Sequence, residues 1–101
     1  MNLWIDDIRN PKDHGWAGAH WAKTAHEANE IIRTGKVTSV SFDHDLGAGP
    51  AAYECAKLIE KLCAEGKIMC PIWRIHSSNP VGRQRIAAAM LSAERLAPQI
   101  S

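Results

Sequence analysis

Three groups of reactive side chains stand at the ends of short apolar runs: Asp6 and Asp7 after "LWI", Asp43, His44 and Asp45 after "SVSF", and His76, Ser77 and Ser78 after "IWRI". Carboxylates brought to one place repel one another unless some take up a proton or a cation sits among them. A divalent metal meets that need, which makes Asp6, Asp7, Asp43 and Asp45 the candidate ligands. An oxygen-rich set suits Mg²⁺ or Mn²⁺, which bind one or two carboxylates, keep several waters and commonly engage phosphate. The nearby imidazoles tilt the choice towards Mn²⁺ or another transition metal. With an unperturbed pKa of about 6.5, histidine is suited to moving protons at neutral pH, so His76 and His44 are the candidate general acid and base. Each group also has a plainer reading: Asp-Asp as a turn and cap, Asp-His-Asp as a satisfied turn, His-Ser-Ser as the approach to a helix. Their coincidence at the ends of neighbouring strands is what favours chemistry.

Positioning these groups falls to the elements between them. "NLWIDDI" is a β-prone run, and the Asn-Pro and two glycines of "RNPKDHGWAG" punctuate a loop. "HWAKTA" predicts a second short strand. In "TAHEANEIIRTG", Thr24 with Glu27 three residues on forms a capping box, Gly35 is placed as a stop, and Ala25, Ala28, Ile31 and Ile32 supply an apolar face. "VTSVSF" is a third strand by its β-branched content. After the loop "GAGP", Pro50 suits the first helical position, and Ala52, Cys55, Ala56, Ile59, Leu62 and Cys63 form a stripe at helical spacing that Gly66 ends. "CPIWRI" is a fourth strand. Asn79 and Pro80 then open a last helix with Ile86, Met90, Ala93 and Ala97 on its buried face.

Strands alternating with helices imply parallel pairing through right-handed crossovers. The expected fold class is α/β, a small open parallel sheet of about four strands with flanking helices. In such sheets the carboxyl ends of the strands form the ligand crevice, where helix N-termini favour anions. Ser77, Asn79 and Arg83 are therefore the candidate phosphate-binding residues, and the expected ligand is a phosphate ester.

At 101 residues with 46% hydrophobic residues, the chain has the size of one small domain, taken as residues 1–101. A formal net charge of +1 gives only a weak long-range field, which disfavours general nucleic-acid binding. The first residues hold no apolar run long enough for a secretory segment or a membrane span, so the expected location is cytoplasmic. Cys55, Cys63 and Cys70 make an odd count with no C-x-x-C pair, which predicts buried thiols rather than disulfides or a zinc site. His14 reads as a solvated loop residue or one that swings over the site, His20 carries no assigned role, and His26 reads as exposed. Trp16 and Trp21 are read as packing across the sheet edge, with stacking on a base or ribose as the alternative. Trp4 and Trp73 read as core or near-core.

"WIDD", "AKTAHEANEII" and "SVSFDHDLGAG" resemble the response-regulator receiver domain across about the first 80 residues. That likeness implies a flavodoxin-like fold in which Asp6 and Asp7 match the metal-binding acidic pair and Asp43 the phosphoryl acceptor. The chain departs from it in having His76 where a receiver's fourth strand ends in Ser or Thr, and in lacking a fifth strand with the receiver lysine. The combination of "DD", "FDHDLG" and "H-x-x-N" with Gly82 just beyond is more similar to a variant, the cyclic-phosphate processing receiver domain family. This resemblance implies metal-dependent processing of cyclic phosphates on nucleotides or ribose compounds, with Asp6, Asp7, Asp43, His44, Asp45, His76 and Asn79 as the matched residues. Asp43 is then either a metal ligand or a nucleophile. The competing expectation is a non-catalytic receiver-like module that binds a phosphorylated ligand or a protein partner, including a phage-type inhibitor.

Overall fold

The computed structural model describes residues 1–43, 51–76 and 80–98. Four strands, β1 (Asn2–Ile5), β2 (His20–Ala22), β3 (Ser39–Phe42) and β4 (Ile72–Ile75), form one sheet in the order β2-β1-β3-β4, and every pair is parallel. Three α-helices follow the second, third and fourth strands: α1 (Ala25–Arg33), α2 (Ala51–Ala64) and α3 (Pro80–Leu96). This is the receiver-like α/β fold expected from the sequence. Among the described residues, no helix is long and apolar enough to cross a membrane.

Topology explains why, among the described residues, one face of the sheet is covered by helices and the other is not. The steps from β2 to β3 and from β3 to β4 run in the same direction across the sheet, so right-handed crossovers lay α1 and α2 on the same face. α2 packs against both α1 and α3. Beneath them lie Leu3 and Ile5 of β1, Val40 and Phe42 of β3, and the half-buried Trp73 and Ile75 of β4. The step from β1 to β2 runs the opposite way and contains only a 3₁₀ turn, Pro11–His14. By strand alternation the second face carries Trp21, Trp4, Ser41 and Arg74, which are cross-strand neighbours in one row.

Local signals end the helices as the sequence predicts. Gly35 and Gly66, after α1 and α2, sit at φ +74° and +72°, in the left-handed region that only glycine enters without strain. The Thr24 hydroxyl accepts from Glu27 N–H at 3.1 Å, while the Glu27 carboxylate reaches Lys23 N–H, one residue before the cap, at 3.2 Å. Thr24→Ala is expected to cost about 1 kcal/mol, a fall in Tm of roughly 4–8 °C for a domain near this size, measurable by thermal melting. An unchanged Tm would contradict the capping role. Pro80 opens α3 as expected, whereas Pro50 and Asn79 lie outside the described residues. Cys55 and Cys63 are buried and Cys70 is half-buried. Burial pushes the Cys55 and Cys70 thiols up to about 12, so neither offers a thiolate at neutral pH.

Candidate functional site

The parallel ladder continues one step past the strand ends and aligns the residues that follow. Asp6 N–H donates to Ala22 O, Asp43 N–H to Ile5 O and His76 N–H to Phe42 O, at 2.9–3.1 Å. Period two then puts Asp6, Asp43 and His76 on the same face as Trp4, Ser41 and Arg74, one row nearer the carboxyl edge. One candidate ligand atom from each of Asp6, Asp43 and His76 lies within 4.8 Å of the others. Both carboxylates are buried, with Asp6 fully enclosed.

Asp6 is the hub. Its Oδ1 accepts the backbone N–H groups of Ile8 and Arg9 at 2.8 and 2.9 Å, a turn formed by the side chain on its own loop. Its Oδ2 meets His76 Nε2 at 2.9 Å, and its backbone oxygen accepts Trp21 Nε1–H at 2.6 Å. Burial alone would raise the Asp6 carboxyl, but the Arg9 and Ile8 N–H groups, together with the His76 hydrogen bond and charge, outweigh it and hold the pKa below its ordinary value.

His76 is held on three sides. Its Nδ1 lies 2.7 Å from Ser41 Oγ, and its ring stacks on Trp4 with centroids 4.0 Å apart and planes 4° apart. Burial lowers the His76 pKa, against the opposing effect of the Asp6 hydrogen bond and the charges of Asp6 and Asp43. The neutral ring must carry its proton on Nε2, because an ionised Asp6 can only accept. Nδ1 then accepts the Ser41 hydroxyl proton.

A lowered histidine pKa means that the unfolded chain binds the proton more readily than the folded one. The His76 contribution to stability is therefore present above the ordinary histidine value and is lost as pH falls through the folded value. Asp6, also lowered, acts with the same sign at more acidic pH. Metal-free protein in EDTA should accordingly lose urea resistance between pH 7 and 5, and His76→Gln should flatten that slope. A midpoint that stays level or rises on acidification would contradict the assignment.

Arg9 is the residue that sequence reasoning missed. Its Nη1 lies 3.4 Å from Asp6 Oδ2 and 3.7 Å from Asp43 Oδ2, so a guanidinium already offsets part of the carboxylate repulsion. The side chain is 46% exposed and both contacts are long, which leaves it free to turn towards solvent. Ser41 was also missed, although a serine between Val40 and Phe42 is a period-two signal for the face opposite the core.

The remaining candidates are placed as follows. Asp7 is outside the three-residue cluster, and its Oδ1 is shielded from solvent without a hydrogen-bond partner among the described residues. Arg83 sits in the first turn of α3 and donates from Nη1 to Ile75 O at 2.9 Å, tying that helix to β4. His44, Asp45, Ser77 and Asn79 lie outside the described residues. Trp4 is buried but belongs to the second face rather than the main core. His14 is exposed yet stacks against Trp4 at 5.5 Å. His26 is exposed, beside Glu30 at 3.6 Å.

The donor set fits a divalent cation. Asp6, Asp43 and His76 bring two carboxylates and an imidazole together, and the Asp7 Oδ1 is a buried acceptor that lacks a donor among the described residues. A cation there would displace Arg9, whose exposure permits it.

A family model described as the cyclic-phosphate processing receiver domain matches residues 1–92. None of the curated proteins and none of the solved structures matches the chain.

Proposed function

The chain belongs to the cyclic-phosphate processing receiver domain family, and from that premise we infer a metal-dependent phosphoesterase that opens a cyclic phosphate on a nucleotide or ribose derivative. The observation that carries this reading is the convergence of two buried carboxylates with an imidazole held at both ring nitrogens. Asp6 and Asp43 would hold Mg²⁺ or Mn²⁺, with Asp7 and Asp45 as further candidate ligands and His76 beside them as the proton carrier. When bound, such an ion supplies charge neutralisation for the phosphoryl oxygens.

The chain's own residues do the rest. Arg9, displaced from the carboxylates, pairs with a phosphoryl oxygen, a contact suited to a guanidinium. His76 presents Nε2 to the carboxylate rim while Ser41 holds Nδ1; in its cationic form the ring gives its Nε2 proton to the alkoxide released as a water attacks phosphorus and the ring P–O bond breaks. His44 is the candidate second proton carrier, and Asp43 serves as ligand or as nucleophile. Ser77, Asn79 and Arg83 complete the candidate phosphate-binding set.

Incubation with nucleoside 2′,3′-cyclic phosphates and ADP-ribose cyclic phosphate, followed by phosphorus NMR, tests the reading. Ring opening with Mg²⁺ or Mn²⁺ that EDTA abolishes is expected. A second reading, a non-catalytic module for a phosphorylated ligand, is favoured by Arg9, which offsets the Asp6 and Asp43 charges without a metal. Phosphorus shifts without product would establish that second reading and overturn the first.

A further inference from the structure

A recess of about 230 Å³ lies on the helix-free face of the sheet, between the β1–β2 connection and β4. His14 and Trp16 from that connection line it together with Trp4, Ser41, Arg74 and His76. Trp16 is half-buried and tilted 50° from Trp4 at 5.8 Å, so its ring rests on Trp4 while lining the recess. Arg74 is exposed, and its guanidinium makes no hydrogen bond or ion pair among the described residues, whereas the adjacent Trp73 bonds to Glu94. His76 belongs both to this recess and to the carboxylate cluster.

We propose that this recess is the nucleobase subsite for the ligand whose phosphate meets Asp6, Asp43 and His76, an assignment that rests on the function proposed above. Three features select a base. The volume falls below the 300–1,000 Å³ or so of sites that enclose a whole drug-sized ligand, so it takes one ring system and leaves the phosphate outside, at the rim. Its walls include the half-buried Trp16 indole and the exposed His14 imidazole, rings that stack on any base, and the Arg74 guanidinium presents paired donors to a base's acceptor edge. The row of Trp4, Ser41 and Arg74 is two residues below the row of Asp6, Asp43 and His76, roughly 6.6 Å along a parallel strand, a separation that one ribose bridges.

The test uses full-length, ¹⁵N-labelled protein in EDTA and the four common nucleoside 5′-monophosphates as probes, with ribose 5-phosphate as the base-free control. At least one nucleotide should shift the Trp16 indole N–H and the Arg74 side-chain signal, whereas ribose 5-phosphate should leave both in place. Trp16→Ala and Arg74→Ala should each weaken nucleotide binding about tenfold. Arg74 is exposed, so its variant keeps the test valid if Trp16→Ala does not fold. Turnover is read separately, comparing a nucleoside 2′,3′-cyclic phosphate with methyl riboside 2′,3′-cyclic phosphate. Ring opening of both at equal KM, with Trp16 and Arg74 unmoved by every nucleotide, overturns the subsite and leaves the phosphoesterase standing. Shifts at Trp16 and Arg74 without ring opening support the subsite and overturn the phosphoesterase.

Discussion

Asp43→Asn is expected to cut metal-dependent ring opening by about 10³-fold or more. A metal that neutralises phosphoryl oxygens contributes several kcal/mol to the transition state, and each 1.36 kcal/mol or so is tenfold in rate. Asparagine preserves the size of the side chain and one oxygen acceptor but removes the charge that a cation needs. The same change eases repulsion between Asp43 and the fully buried Asp6, so the urea midpoint should hold or rise. The comparison of initial rates by phosphorus NMR, with unfolding measured alongside, separates lost chemistry from lost fold. More than a tenth of the parent rate in a folded Asp43→Asn protein would remove Asp43 from the site.

His76→Gln is the second large effect, with an expected loss of about 10²–10⁴-fold, the usual range for a positioned proton carrier. Glutamine keeps a planar polar group above Trp4 and retains a donor towards Asp6, but it cannot exchange a proton near neutral pH. Ser41→Ala gives the complementary result. It leaves the imidazole in place and frees Nδ1, so the rate should fall less and the pH dependence of kcat/KM should move. A purely structural histidine would give the opposite pattern, in which Ser41→Ala and His76→Gln lower the unfolding midpoint while activity per folded molecule stays unchanged.

The fold was legible because its signals are local. The Thr24 cap, the glycine stops at Gly35 and Gly66, and the helical stripe from Ala52 to Cys63 each state a conformation within a few residues. Alternation of strand and helix then fixes parallel pairing. The carboxylate rim was legible too, because Asp6, Asp43 and His76 each directly follow a strand and a parallel sheet aligns its carboxyl ends.

What stayed hidden depends on position across the sheet. The run "SVSF" reads as a buried strand, yet Val40 and Phe42 face the helices while Ser41 faces the opposite side and reaches His76. Trp4 looks like core by its type, but its partners are His76, His14 and Trp16. Arg9 owes its place to the turn that Asp6 Oδ1 makes with the Ile8 and Arg9 N–H groups, a conformation that spacing alone does not encode. The acids at the strand ends are visible as a motif, whereas this guanidinium, which offsets part of their charge, is not.

The central claim is that a divalent cation and a phosphate meet at Asp6, Asp43 and His76. A titration of ¹⁵N-labelled protein with Mn²⁺, with and without a nucleoside monophosphate, tests it most directly through paramagnetic broadening. The signals of Asp6, Asp43 and His76 should broaden first, and the nucleotide's phosphorus line should broaden, beyond its broadening by free Mn²⁺, only when protein and Mn²⁺ are present together. Broadening centred elsewhere on the chain, or a phosphorus line that the protein leaves unchanged, would contradict it.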